Sequence, residues 1–75
     1  MFERLFLNNI HDLLNKKKFD EIILKINTNN HFLQNYPDLY NIRAVSRILK
    51  LNKNKTDIIS ALKDFENYFS YSKDN

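Results

Sequence analysis

The sequence predicts an all-α fold, four antiparallel helices arranged as two helical hairpins, and three observations carry that expectation. Apolar residues recur at intervals of three and four through most of the chain. Glycine is absent and proline occurs once, so the turns that sheets and tight hairpins require have few residues to build them. The chain has 75 residues, enough for one small domain, with a first hairpin over about 1–35 and a second over about 36–72.

The first helix is expected at about 2–16. Phe2, Leu5, Phe6, Ile10, Leu13 and Leu14 form one stripe, while Glu3, Arg4, Asn8, His11, Asp12 and Asn15 fill the opposite face. The lysines of "NKKKF" sit well beside the negative end of that helix. A second helix at about 19–29 opens with Asp20 and Glu21, suited to a positive helix end, and aligns Phe19, Ile22, Ile23 and Ile26. "HFLQNY" either extends this helix or forms a short turn anchored by Phe32 or Leu33. Asparagine, abundant here, is expected to supply any left-handed residue at a helix end.

Pro37 and Asp38 mark the start of a third helix at about 37–52. Leu39, Ile42, Val45 and Leu49 make one apolar stripe, and Tyr40, Ala44, Ile48 and Leu51 make a second beside it. An arc this wide implies more than one packing neighbour, so this helix is expected at the centre. A fourth helix at about 56–71 has Thr56 as its expected N-cap and Asp57 in its first turn. Ile58, Leu62, Phe65 and Phe69 form its expected core stripe, flanked by Ala61 and Tyr68, before a frayed polar tail.

Tyr40 and Ala44 on one helix, Ala61 and Phe65 on the next, and Pro37 before them give the second half a resemblance to the tetratricopeptide repeat, a unit of two antiparallel helices. Tyr40 and Ala44 match the aromatic and the small residue of that family's first helix. Ala61 and Phe65 match the Ala-x-x-x-Phe of its second, and Pro37 stands at the usual junction. Arg43 and Arg47 depart from the family, standing where leucine and an aromatic are preferred. In the first half, Ile22 and Ile26 replace the alanine and phenylalanine. The resemblance implies a helical-hairpin module that binds proteins. It does not extend to the family's carboxylate clamp, because Ile42 takes the place of the clamp asparagine.

Composition narrows the chemistry. Without cysteine, neither a disulfide framework nor a thiolate metal site can form. His11 and His31 lie on different segments, too few for a zinc site, and no metal or cofactor is expected. Without glycine there is no phosphate-cradling loop, and no serine has the setting of a nucleophile, so the chain is not expected to be an enzyme. No apolar run approaches a bilayer-spanning length. The opening "MFERLFLNNIHDLL" lacks a basic leader, so a cytoplasmic protein is expected.

The candidate partner-binding residues are Arg43, Arg47 and Lys50, spaced to share one helix face, with Lys53 and Lys55 extending the charge. A net charge of +3 is compatible with an acidic peptide partner, or simply with a solvated basic face. Off the main stripes, Leu7, Leu24, Ile59 and Tyr71 would form a contact patch if they cluster. The leading expectation is a small protein–protein interaction module, acting on a protein partner or as a homodimer. The rival is a small basic nucleic-acid-binding or regulatory protein using the Arg43, Arg47 and Lys50 stripe. A third is a terminal piece of a larger repeat array.

Overall fold

The computed structural model of the protein describes the backbone of residues 2–73 and the side chains of residues 3–71. Among the described residues there are four α-helices, one 3-10 turn and no strand. The helices are α1 (Phe2–Asn15), α2 (Phe19–Thr28), α3 (Asp38–Leu49) and α4 (Lys55–Lys73), with the turn at Asn30–Leu33. Each helix packs on its neighbour in sequence. The α3–α4 contact is the most extensive, and α4 has no comparable contact with α1 or α2.

In α1, Ile10 and Leu13 are buried, and Phe6, Leu7 and Leu14 pack around them. Leu5, expected in the same stripe, faces solvent; the Phe2 side chain lies outside the described residues. The helix ends at a left-handed residue, and this is Lys17, with φ 59°, rather than an asparagine. The Lys17 N–H donates to the Leu14 carbonyl at 3.0 Å and the Lys18 N–H to the Leu13 carbonyl at 2.9 Å. These two bonds satisfy helix-end carbonyls and offset the ~1–2 kcal/mol that a Cβ costs in this region. Asn29 closes α2 differently, keeping φ at −117° while its side-chain amide donates to the Lys25 carbonyl at 2.9 Å.

The segment "HFLQNY" is a separate turn, not an extension of α2. Leu33 is its buried anchor, and the Phe32 ring lies 4.8 Å from that of Phe6. The main core is Ile10 and Leu13 from α1, Ile22 and Ile26 from α2, Leu33 from the turn and Leu39 from α3. Burying a side chain such as Ile22 completely is worth about 1.5–3 kcal/mol. None of the described side chains of α4 belongs to this cluster.

α3 packs on α2, the turn and α4, which is the central position its wide apolar arc implies. It stops at Leu49, earlier than the expected 52, because Lys50 turns extended with ψ 154°. α4 starts at Lys55, and its cap is Asn54 rather than Thr56. Asn54 Oδ1 accepts from the Asp57 N–H at 3.0 Å, and Asp57 Oδ2 accepts from the Asn54 N–H at 3.0 Å. This reciprocal pair is a capping box with asparagine and aspartate in its two places. α4 then runs to Lys73, past the expected 71, and residues 74–75 of the expected frayed tail lie outside the described residues.

Candidate functional site

The α3–α4 interface is built on charge and small side chains. Arg43 and Arg47 stand one turn apart on one side of α3, and Lys50 follows as the extended residue that caps its C-terminal end. Opposite them α4 presents Asp57, Ala61, Asp64 and Tyr68. Arg43 and Lys50 have the same seven-residue spacing as Asp57 and Asp64, so antiparallel helices bring both pairs into register.

Asp64 is almost completely buried, at 3% exposure. Arg43 donates to it in a fork, Nη2 to Oδ1 at 2.7 Å and Nε to Oδ2 at 2.9 Å. Arg47 Nη1 donates to Oδ2 at 2.7 Å. The remaining fork of Arg43 reaches α2, where Nη1 donates to Asn27 Oδ1 at 2.9 Å. One guanidinium on α3 thereby ties α2, α3 and α4 together. Lys50 Nζ lies 3.0 Å from Asp57 Oδ2 and 3.8 Å from Asp20 Oδ1. The Asn54 N–H, followed by Lys50, holds the Asp57 carboxyl below its usual pKa.

The three cations therefore lie between helices and carry carboxylates of their own chain; they do not line an open stripe. Arg43 and Arg47 expose only 13% and 15% of their side chains. Sequence reasoning passed over Asp64, whose signal was its matched spacing with the basic residues of α3. Tyr40 and Tyr71 extend the interface with rings stacked 5.8 Å apart, and Arg43 lies 5.8 Å from the centre of the Tyr40 ring. Burial, followed by the neighbouring Tyr71, raises the Tyr40 pKa. Ala44 and Ala61 are both fully buried, small residues that let two helices approach closely.

This interface turns α4 so that its most apolar face points outward. Ala61 and Asp64 are buried, whereas Ile58, Leu62 and Phe69 of the expected core stripe are exposed and Phe65 is half-buried. Leu62 is 56% exposed and Phe69 58%. Ile59 beside them is exposed as well. On α3, Ile48 follows Ala44 by one turn and continues the apolar strip past the alanine. Of the remaining off-stripe residues, Leu24 is exposed on α2, Leu7 packs on the core and Tyr71 stacks on Tyr40. They do not gather into one patch; the patch consists of residues the periodicity assigns to the core.

Elsewhere, an open groove of 390 Å³ lies between α1 and the start of α3, lined by residues including Leu7, His11, Tyr36, Asp38 and Ile42. The Tyr36 hydroxyl donates to Glu3 Oε2 at 2.6 Å, tying the segment before α3 to the start of α1. His31 stacks on Phe32 at 4.1 Å between ring centres. No helix among the described residues is long and apolar enough to cross a membrane.

Among the described residues these features define an all-α arrangement of helical hairpins with an exposed apolar face on α4. Comparison with known protein families, with curated proteins and with solved structures finds no match in any of the three.

Proposed function

We propose that the protein is a small, non-catalytic protein–protein interaction module of the cytoplasm whose working surface is the outer face of α4. The observation that carries this reading is the exposure of Ile58, Leu62 and Phe69 on one face of a helix whose opposite side holds a buried aspartate. Contiguous apolar surface of this kind marks contact sites in small proteins. Arg43, Arg47 and Lys50 serve that surface indirectly. Their ion pairs with Asp64 and Asp57 set the rotation of α4 and so decide which face is presented.

The tetratricopeptide-like reading belongs to the same proposal. It is supported by Ala44 and Ala61, which are fully buried at the positions where that family places small residues. A surface of this composition fits an apolar helix face better than an acidic peptide or a phosphate backbone, because Ile58, Ile59, Leu62 and Phe69 dominate it and Arg43 and Arg47 are already paired with Asp64. The test is to map binding by amide chemical shifts while partners are titrated onto the chain. Shifts are expected along the outer face of α4 and are expected to vanish in Leu62→Lys. Shifts confined to the α1–α3 groove would defeat the reading.

A further inference from the structure

We infer that the occupant of the outer face of α4 is the α4 helix of a second copy, packed antiparallel across a two-fold axis. This rests on the reading of α4 as the working surface and specifies what covers it. Ile58, Leu62, Phe65 and Phe69 are separated by four, three and four residues, the seam spacing of paired helices. That series reads the same in both directions. A two-fold axis passing between Leu62 and Phe65 therefore lays the seam on itself, as an interface between identical subunits requires.

Side-chain size selects the antiparallel sense. The aliphatic residues occupy the first half of the seam and the rings the second. Antiparallel pairing sets Ile58 against the partner subunit's Phe69 and Leu62 against the partner subunit's Phe65, smaller against larger. Parallel pairing sets ring against ring at one end and aliphatic against aliphatic at the other, crowding the first and leaving the second underfilled.

The surface area supports a partner at this face. The free chain exposes 5548 Å², against about 4,900 Å² expected of a folded chain of 9.1 kDa. The chain therefore exposes more surface than a folded chain of its mass ordinarily does, and Ile58, Ile59, Leu62 and Phe69 of α4 are among its exposed large apolar residues. Ile58, Leu62 and Phe69 are exposed and lie outside the main core, so they are available for this contact.

Sedimentation equilibrium of the whole chain between about 1 µM and 1 mM tests the inference. A monomer–dimer equilibrium is expected. Leu62→Lys should keep the helical circular dichroism spectrum and raise the dimer dissociation constant about thirtyfold or more. The chain has no cysteine, so orientation can be read by cross-linking. Ile58→Cys mixed with Phe69→Cys should give a disulfide-linked heterodimer on oxidation, in preference to either variant alone. A chain that stays monomeric throughout overturns the second-copy inference but leaves α4 as a surface for a different protein. Preferential linking of Ile58→Cys to itself overturns the antiparallel arrangement. A dimer that Leu62→Lys leaves intact overturns both the inference and the reading beneath it.

Discussion

Asp64 accepts charge-assisted hydrogen bonds from two arginines in a site nearly closed to water. Burying a carboxylate is tolerable only because both oxygens are occupied and a guanidinium fork matches their geometry. Asp64→Ala leaves Arg43 and Arg47 without a counter-charge between two helices. We expect it to cost about 3 kcal/mol, read as a lowered urea midpoint. Replacing all three by apolar residues, Arg43→Leu with Arg47→Met and Asp64→Leu, should restore most of that loss, because no unpaired charge then remains. Lys17 makes a smaller case at the same scale. Its Cβ is unfavourable at φ 59°, so Lys17→Gly should stabilise the chain by about 1 kcal/mol in the same denaturation assay.

At the scale of the helix, the caps and the buried face decide what each element does. Asn54→Ala removes one half of the capping box and should cost about 1 kcal/mol, whereas Thr56→Ala should be close to neutral. Acid weakens the same end of α4. The Asp57 pKa is lowered in the folded protein from its ordinary 3.8, so the stability it contributes is complete above that value. It is lost as pH falls through the lower folded value. Hydrogen exchange of the first α4 amides between pH 5 and pH 3 should show this loss, and Asp57→Asn should flatten it. The boundaries of α1 and α2 were readable within a residue or so from apolar spacing. The α4 cap was misread because Asn54 sits inside a run of asparagine and lysine that looks like loop. The face of α4 was misread for a different reason. Periodicity identifies the most apolar side of a helix, and here the buried side is set by an ion pair and an alanine.

Across the whole molecule, stability is unevenly distributed. The core joins α1, α2, the turn and α3, while α4 is held chiefly by α3, through charge, stacked tyrosines and small residues. Ile26→Ala should therefore cost about 3 kcal/mol, and Leu62→Ala less than about 1 kcal/mol, in the monomer. Native-state hydrogen exchange should show α4 opening at lower free energy than α1–α3. At this scale the sequence by itself determined the fold class, the number of helices and the central position of α3. Those properties follow from local periodicity, from the lack of glycine and from the single proline, and each is visible in a short window of residues. Only the tertiary structure decided the roles of the basic stripe and of the α4 apolar stripe. Arg43 and Arg47 read as a binding edge until Asp64, far along the chain, is brought beside them. Pairing across a hairpin fixes the rotation of both helices, and rotation determines whether an apolar stripe becomes core or contact surface.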